Sequence, residues 1–134
     1  MDAYSGYNQI PMKPNEEEHT SFITDWGLYY YKVISFWLKN AGVTYQRLVN
    51  MMFEALINKT MEVYVDNMLV KSESVADHVS NLGEMFGVLS NYQMKLNPLK
   101  CAFGVASGKF MWFMMNNRGI EANSEKIRAL LDMR

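Results

Sequence analysis

The chain has 134 residues, of which 49% are hydrophobic, enough to build a real core in one domain or part of one. Its formal net charge of −1 supplies no bulk attraction for polyanions, so any nucleic-acid partner has to be argued from motifs. No apolar run approaches the roughly 18 residues of a membrane span. The N-terminus lacks signal-peptide character, and the single cysteine, Cys101, excludes an internal disulfide and fits a reducing intracellular compartment, cytoplasmic or nuclear.

Residues 2–14 read as irregular, with turn signals at Ser5-Gly6 and from Pro11 to Pro14. Glu16-Glu17-Glu18-His19 reads as a solvated loop; no second histidine lies at ligand spacing from His19. Ser21–Thr24 and Tyr29–Val33 are aromatic and β-branched, with Asp25-Trp26-Gly27 between them, and predict a hairpin. Its consecutive tyrosines suit core and cross-strand packing, with base stacking as the alternative. Asn40 is placed to cap a helix running to about Ile57. Tyr45, Leu48, Val49, Met52, Phe53 and Leu56 form one apolar stripe along it, which Gln46 and Arg47 leave. Next come the apolar runs Met61–Val65 and Met68–Val70, predicting a tight hairpin centred on Asp66-Asn67. A second helix is predicted over 74–92 with Val75, Val79, Leu82, Phe86 and Leu89 as its buried face and His78 at the boundary. Short strands follow at Met94–Leu96, Ala102–Val105 and Phe110–Met115, the last ended by Asn116 to Gly119. Ser124 should cap a final helix to about Met133, with Glu125 in its first turn. Twelve methionines suit core gap-filling or a partner-binding surface. The order of hairpins and helices predicts an α+β fold, an antiparallel sheet with helices packed on one face.

Carboxylates from separate segments that meet at a sheet edge can hold magnesium for phosphoryl transfer to nucleotides. Asp66 at a hairpin tip is well placed for this, and Asp2 is the second candidate. Taken alone, an Asp-Asn turn is a common structural feature.

The wider pattern is more specific. Asp2-Ala3-Tyr4-Ser5-Gly6-Tyr7-Asn8-Gln9-Ile10 resembles motif A of gypsy-type LTR retrotransposon reverse transcriptases. Ser35-Phe36-Trp37-Leu38-Lys39-Asn40-Ala41-Gly42 with Tyr45-Gln46-Arg47 resembles motif B, and Tyr64-Val65-Asp66-Asn67 resembles the YxDD motif C. Met94-Lys95-Leu96-Asn97-Pro98 with Lys100-Cys101 resembles motif D. Phe110-Met111-Trp112-Phe113, then Arg118-Gly119-Ile120, resembles motif E. The five motifs occur in order across essentially the whole chain.

This resemblance implies a partial reverse transcriptase domain over 1–134, an RNA-directed DNA polymerase of the palm fold. Residues 12–38 would be a fingers-like hairpin and 120–134 the start of the thumb. It implies Asp2 and Asp66 as catalytic ligands of two magnesium ions, with Asn67 a degenerate catalytic position and Lys100 a weaker carry-over as proton donor to pyrophosphate. Tyr7, Phe36 and Gln46 would bind nucleotide, Tyr7 as the wall against a ribose 2′-hydroxyl and Gln46 facing template or nucleotide. Phe110, Met111, Trp112 and Phe113 would hold the primer. The implied partners are a primed RNA or DNA template and deoxynucleotides.

Four departures weigh against activity. Asn67 removes one negative charge beside divalent ions. Trp37 and Trp112 stand where the family has glycine and add bulk near the nascent pair and the primer, while Ser35 for proline matters less. The fourth is truncation: the upstream triphosphate-gripping residues and the downstream thumb, connection and RNase H regions are absent from this sequence. A missing central strand would leave Asp2 on a frayed terminus. The resulting expectation is a decayed polymerase fragment, inactive alone. The alternative is a non-catalytic module that binds RNA or a protein through exposed aromatics.

Overall fold

A computed structural model describes residues 1–111, 113–116, 118–122 and 124–133. The expectation for Trp112 lies outside the described residues, as do those for the side chains of Ser124 and Glu125. In chain order the elements are a 3-10 turn at Gly6–Gln9, α1 (Pro14–Glu17), a 3-10 turn at Glu18–Thr20, β1 (Phe22–Thr24), β2 (Gly27–Tyr29), α2 (Ala41–Met52), β3 (Met61–Tyr64) and β4 (Asn67–Val70). There follow α3 (Val75–Asn91), a 3-10 turn at Pro98–Lys100, β5 (Gly108–Phe110), β6 (Phe113–Asn116), β7 (Gly119–Ala122) and α4 (Ser124–Leu131). The strands form three small antiparallel sheets, β1–β2, β3–β4 and β5–β6–β7, rather than one continuous sheet. No helix among the described residues is long and apolar enough to cross a membrane.

The core lies where α2 and α3 meet the β3–β4 hairpin: Tyr45, Val49, Met52 and Phe53 face Met61, Met68, Val70, Met85, Leu89 and Met94, with Ala3 beneath. Five of these are methionines, so much of the high methionine content fills core gaps. The stripe predicted on α2 holds, but the helix ends at Met52 instead of near Ile57. Leu56 O then accepts from the N–H groups of Thr60 and Met61, and Asn58 turns through a left-handed φ of 64° to start β3. Asn40 makes no side-chain cap, whereas Ser74 Oγ accepts from Asp77 N–H at 3.1 Å as a true N-cap.

On α3 the expected buried face holds at Leu82 and Leu89 but not at Val75, Val79 and Phe86. Leu82, Met85 and Leu89 turn inward, while Val75 and Val79 are exposed and Phe86, also exposed, meets the Phe103 ring. The helix carries apolar residues on two stripes, and the sheet takes the one containing Met85. His78 is half-buried and meets Ser72 Oγ at 3.1 Å, a boundary residue as read.

The first hairpin is shorter than predicted. Thr24 pairs with Gly27, which sits at φ 131°, and Asp25-Trp26 form the loop. Past β2 the chain bridges Val33 to Pro11, so Tyr30–Val33 do not extend the strand. Phe22 packs across on Tyr29 and Tyr31, but all three remain exposed, so the predicted cross-strand packing occurs without core burial. Glu16–His19 is a helical turn instead of a loop, and Ala102–Val105 is irregular rather than strand. Phe110–Met115 divides into two strands, because Met111 turns at φ 54° and lets Phe110 pair with Phe113.

Residues 1–4 lie between β4 and the 94–97 segment, tied to each by an isolated antiparallel bridge. Met1 and Met68 exchange backbone hydrogen bonds at 2.8 and 2.9 Å on one side. On the other side Tyr4 N–H donates to Lys95 O and Asn97 N–H to Asp2 O, both at 2.9 Å. The central position is as expected, but the frayed Asp2 is not: its backbone is held from both sides.

Candidate metal centre

The β3–β4 hairpin closes with Tyr64 paired to Asn67, so the loop is Val65-Asp66, one residue earlier than the predicted Asp66-Asn67 centre. A two-residue loop requires positive φ at its first position. Here that residue is Val65, at φ 51°. For a β-branched side chain this conformation costs about 1–3 kcal/mol and needs outside support. Gln46 supplies it. Its Oε1 accepts from Val65 N–H at 2.5 Å, and its Nε2 donates to Asn50 Oδ1 at 2.7 Å. The amide expected to face template or nucleotide is thus engaged in holding the turn that presents Asp66.

An antiparallel bridge between Asp2 and Asn67 brings the N-terminal segment to this tip. Asp2, 64 positions before Asp66, is thereby brought to the same hairpin tip; its side chain is 22% exposed, Asp66 is half-buried and Asn67 is exposed. The 94–101 segment closes the other side. Lys100 Nζ lies 3.4 Å from Asp2 Oδ2, so this lysine faces a proposed metal ligand directly. Cys101 Sγ approaches Asp2 O at 3.8 Å.

An aromatic floor underlies the carboxylates. Tyr7 packs tilted on Tyr45 at 5.1 Å and edge-on to Phe36 at 5.5 Å, which continues to Trp37 at 5.8 Å. Burial, then the Asp66 charge, raises the Tyr7 phenol above its ordinary value. Tyr45 is raised further, first by burial and then by Asp66, Asp2 and Tyr7. Both phenols therefore keep their protons beside the carboxylates. Gly6 makes the packing possible, since a Cβ there would come within 2.8 Å of Tyr45 Cε2. Phe36 and Trp37 are exposed, Trp37 by 87%. Phe110, Met111 and Phe113 lie at the β5–β6 turn in a separate sheet.

Sequence reading missed Gly6 and Tyr45 as parts of the site. The signal for Tyr45 was a hydroxyl on an otherwise apolar stripe.

The donor set suits a hard cation in a limited way. Magnesium is commonly held by one or two carboxylates plus substrate phosphates, and Asp2 with Asp66 meets that requirement. Asn67 offers a neutral donor only, and no group of three or more His, Cys, Asp or Glu occurs among the described residues.

The sequence matches the model of the reverse transcriptase (RNA-dependent DNA polymerase) family over residues 1–130. The chain belongs to that family, which implies a general dependence on divalent metal. More particularly, it is a segment of gypsy type. It is 30% identical to the Retrovirus-related Pol polyprotein from transposon gypsy of Drosophila melanogaster over 97% of this chain and 13% of that polyprotein. It is 31% identical to the corresponding polyprotein from transposon 297 of the same species, over 98% of this chain and 12% of the relative. The chain thus spans about an eighth of the curated relatives it matches. Among solved structures, the foamy viral protease-reverse transcriptase with an RNA/DNA hybrid superposes with a TM-score of 0.86 at 18% identity, over 99% of this chain and 18% of that one. A related foamy viral structure with double-stranded DNA gives 0.88 at 18% identity, over 98% and 23%. The palm-like α+β fold is the shared property.

Proposed function

We propose that this chain is the palm portion of an RNA-directed DNA polymerase, in which Asp2 and Asp66 hold magnesium for deoxynucleotide transfer to a primed RNA or DNA template. The observation that supports this reading is the Asp2–Asn67 bridge, which brings Asp2 to the hairpin tip that carries Asp66. Structural neighbours containing an RNA/DNA hybrid or double-stranded DNA support the partner class. Bound magnesium would polarise phosphoryl oxygens and neutralise developing charge. Tyr7 and Phe36 wall the nucleotide, Phe110, Met111 and Phe113 at the β5–β6 turn hold the primer, and Lys100 would protonate the leaving pyrophosphate. Residues 12–38 act as a fingers-like hairpin and 120–134 begin the thumb.

In this chain Asn67 weakens the second metal position and Trp37 projects into solvent beside the nucleotide wall. The expected activity of the isolated chain is therefore nil. A primer-extension assay with magnesium tests this, with Asp66→Ala as control and Asn67→Asp as a rescue attempt. No extension is expected from any of the three. Template-dependent synthesis lost only in Asp66→Ala would refute the inactivity, and rescue by Asn67→Asp would show Trp37 to be tolerated.

A second reading rests on the exposed aromatic face of β1–β2, where Trp26 is 89% exposed. It makes the chain a non-catalytic module for RNA or protein. Salt-sensitive RNA binding that survives Asp66→Ala would favour it.

A further inference from the structure

Tyr45 is fully buried, at 0% exposure, yet its hydroxyl has no hydrogen-bond partner among the described residues. Buried polar atoms in native folds almost always find a protein or water partner. The surroundings narrow what that partner is. Gly6 closes one side, since a Cβ there would lie 2.9 Å from Oη, and the Tyr7 ring covers another at 5.1 Å. Ala3 and Val65, the chain neighbours of Asp2 and Asp66, pack in or against the same core cluster as Tyr45, and both carboxylates act on its phenol without bonding to it directly. A protonated phenol is a donor and the carboxylates are acceptors, so one water between them satisfies all three.

We propose that Tyr45 is a positioning residue of the metal centre, donating through one buried water to the Asp2–Asp66 pair and so orienting both carboxylates from below. This rests on the reading of that pair as a cation site. Groups that hydrogen-bond a ligand fix its orientation, and losing one typically weakens metal affinity by about 10- to 100-fold. At a centre where Asn67 carries no charge, such orientation has greater weight.

The test is manganese(II) binding to the full chain, followed by electron paramagnetic resonance, for wild type, Tyr45→Phe and Asp66→Asn. The expected result is binding by wild type, about 10-fold weaker binding by a folded Tyr45→Phe, and none at this site by Asp66→Asn. Equal affinity of wild type and Tyr45→Phe overturns the role of Tyr45 alone. Equal binding by wild type and Asp66→Asn overturns the cation site, and this inference with it. A second readout needs no substitution. Magnetisation transfer from a long-lived water to the Tyr45 ring protons is expected in wild type, and its absence overturns the bridge even if Tyr45→Phe fails to fold.

Discussion

Replacing Gly6 with alanine probes how tightly the aromatic floor is packed. Gly6 is buried and is not among the residues with left-handed backbone, so alanine meets no conformational strain. The cost is spatial. The new Cβ would stand 2.8 Å from Cε2, 2.9 Å from Oη and 3.0 Å from Cζ of Tyr45. Favourable contact between such atoms lies at about 3.5–4.0 Å, so the ring has to retreat by at least half an ångström. Tyr45 is at 0% exposure and is backed by Tyr7, which leaves little room. Overpacking of this kind costs about 1–3 kcal/mol. Restricting the unfolded chain returns about 0.4–1 kcal/mol. A net loss of about 1–2 kcal/mol is expected in urea unfolding followed by circular dichroism. Tyr45→Leu removes the ring, and in that background Gly6→Ala should be neutral or slightly stabilising. A Gly6→Ala protein as stable as wild type, or an equal cost in both backgrounds, would refute the packing argument.

Three further outcomes follow from the same geometry. Gln46→Leu deprives Val65 N–H of its acceptor, so that amide should exchange faster with solvent and stability should fall by about 1 kcal/mol; unchanged exchange at Val65 would mean the turn holds itself. Lys100→Met removes the ammonium 3.4 Å from Asp2, and manganese(II) should then bind a few-fold more tightly; weaker binding would show that Lys100 assists rather than competes. Finally, the Tyr45 phenol has a folded-state pKa raised above its ordinary 10.0. Its contribution is therefore fully present below about pH 10 and is lost above it, by about 1.4 kcal/mol per pH unit. Urea melts at pH 9, 10 and 11 should show this fall in wild type and a flatter profile in Tyr45→Phe; identical slopes would contradict it.

The parts of the fold legible in the sequence were those fixed by local pattern. The apolar stripe from Tyr45 to Leu56 marked α2, and the runs around Asp66 marked the β3–β4 hairpin. The exact loop was not legible, because a valine with positive φ goes against local preference and is sustained by Gln46 from another element. The α3 face was partly misread: Leu82 and Leu89 turn inward as expected, but Met85 is buried where Phe86 was expected, because the helix's apolar stripes look alike until β4 packs on one of them. The anchoring of Asp2 depends on the backbone bonds of Met1 with Met68 and of Asp2 with Asn97, and no local signal reports such long-range pairing. The same holds for Tyr45, whose stripe position concealed a buried hydroxyl without a partner among the described residues.

The central claim is that Asp2 and Asp66 converge on one cation site. Titrating manganese(II) into isotope-labelled protein and following amide signals locates the ion directly. The account predicts that signals of Ala3, Val65, Asp66, Asn67 and Lys100 broaden first and together, and that Asp66→Asn abolishes this. Broadening centred on Glu16–Glu18, or unchanged by Asp66→Asn, would contradict it.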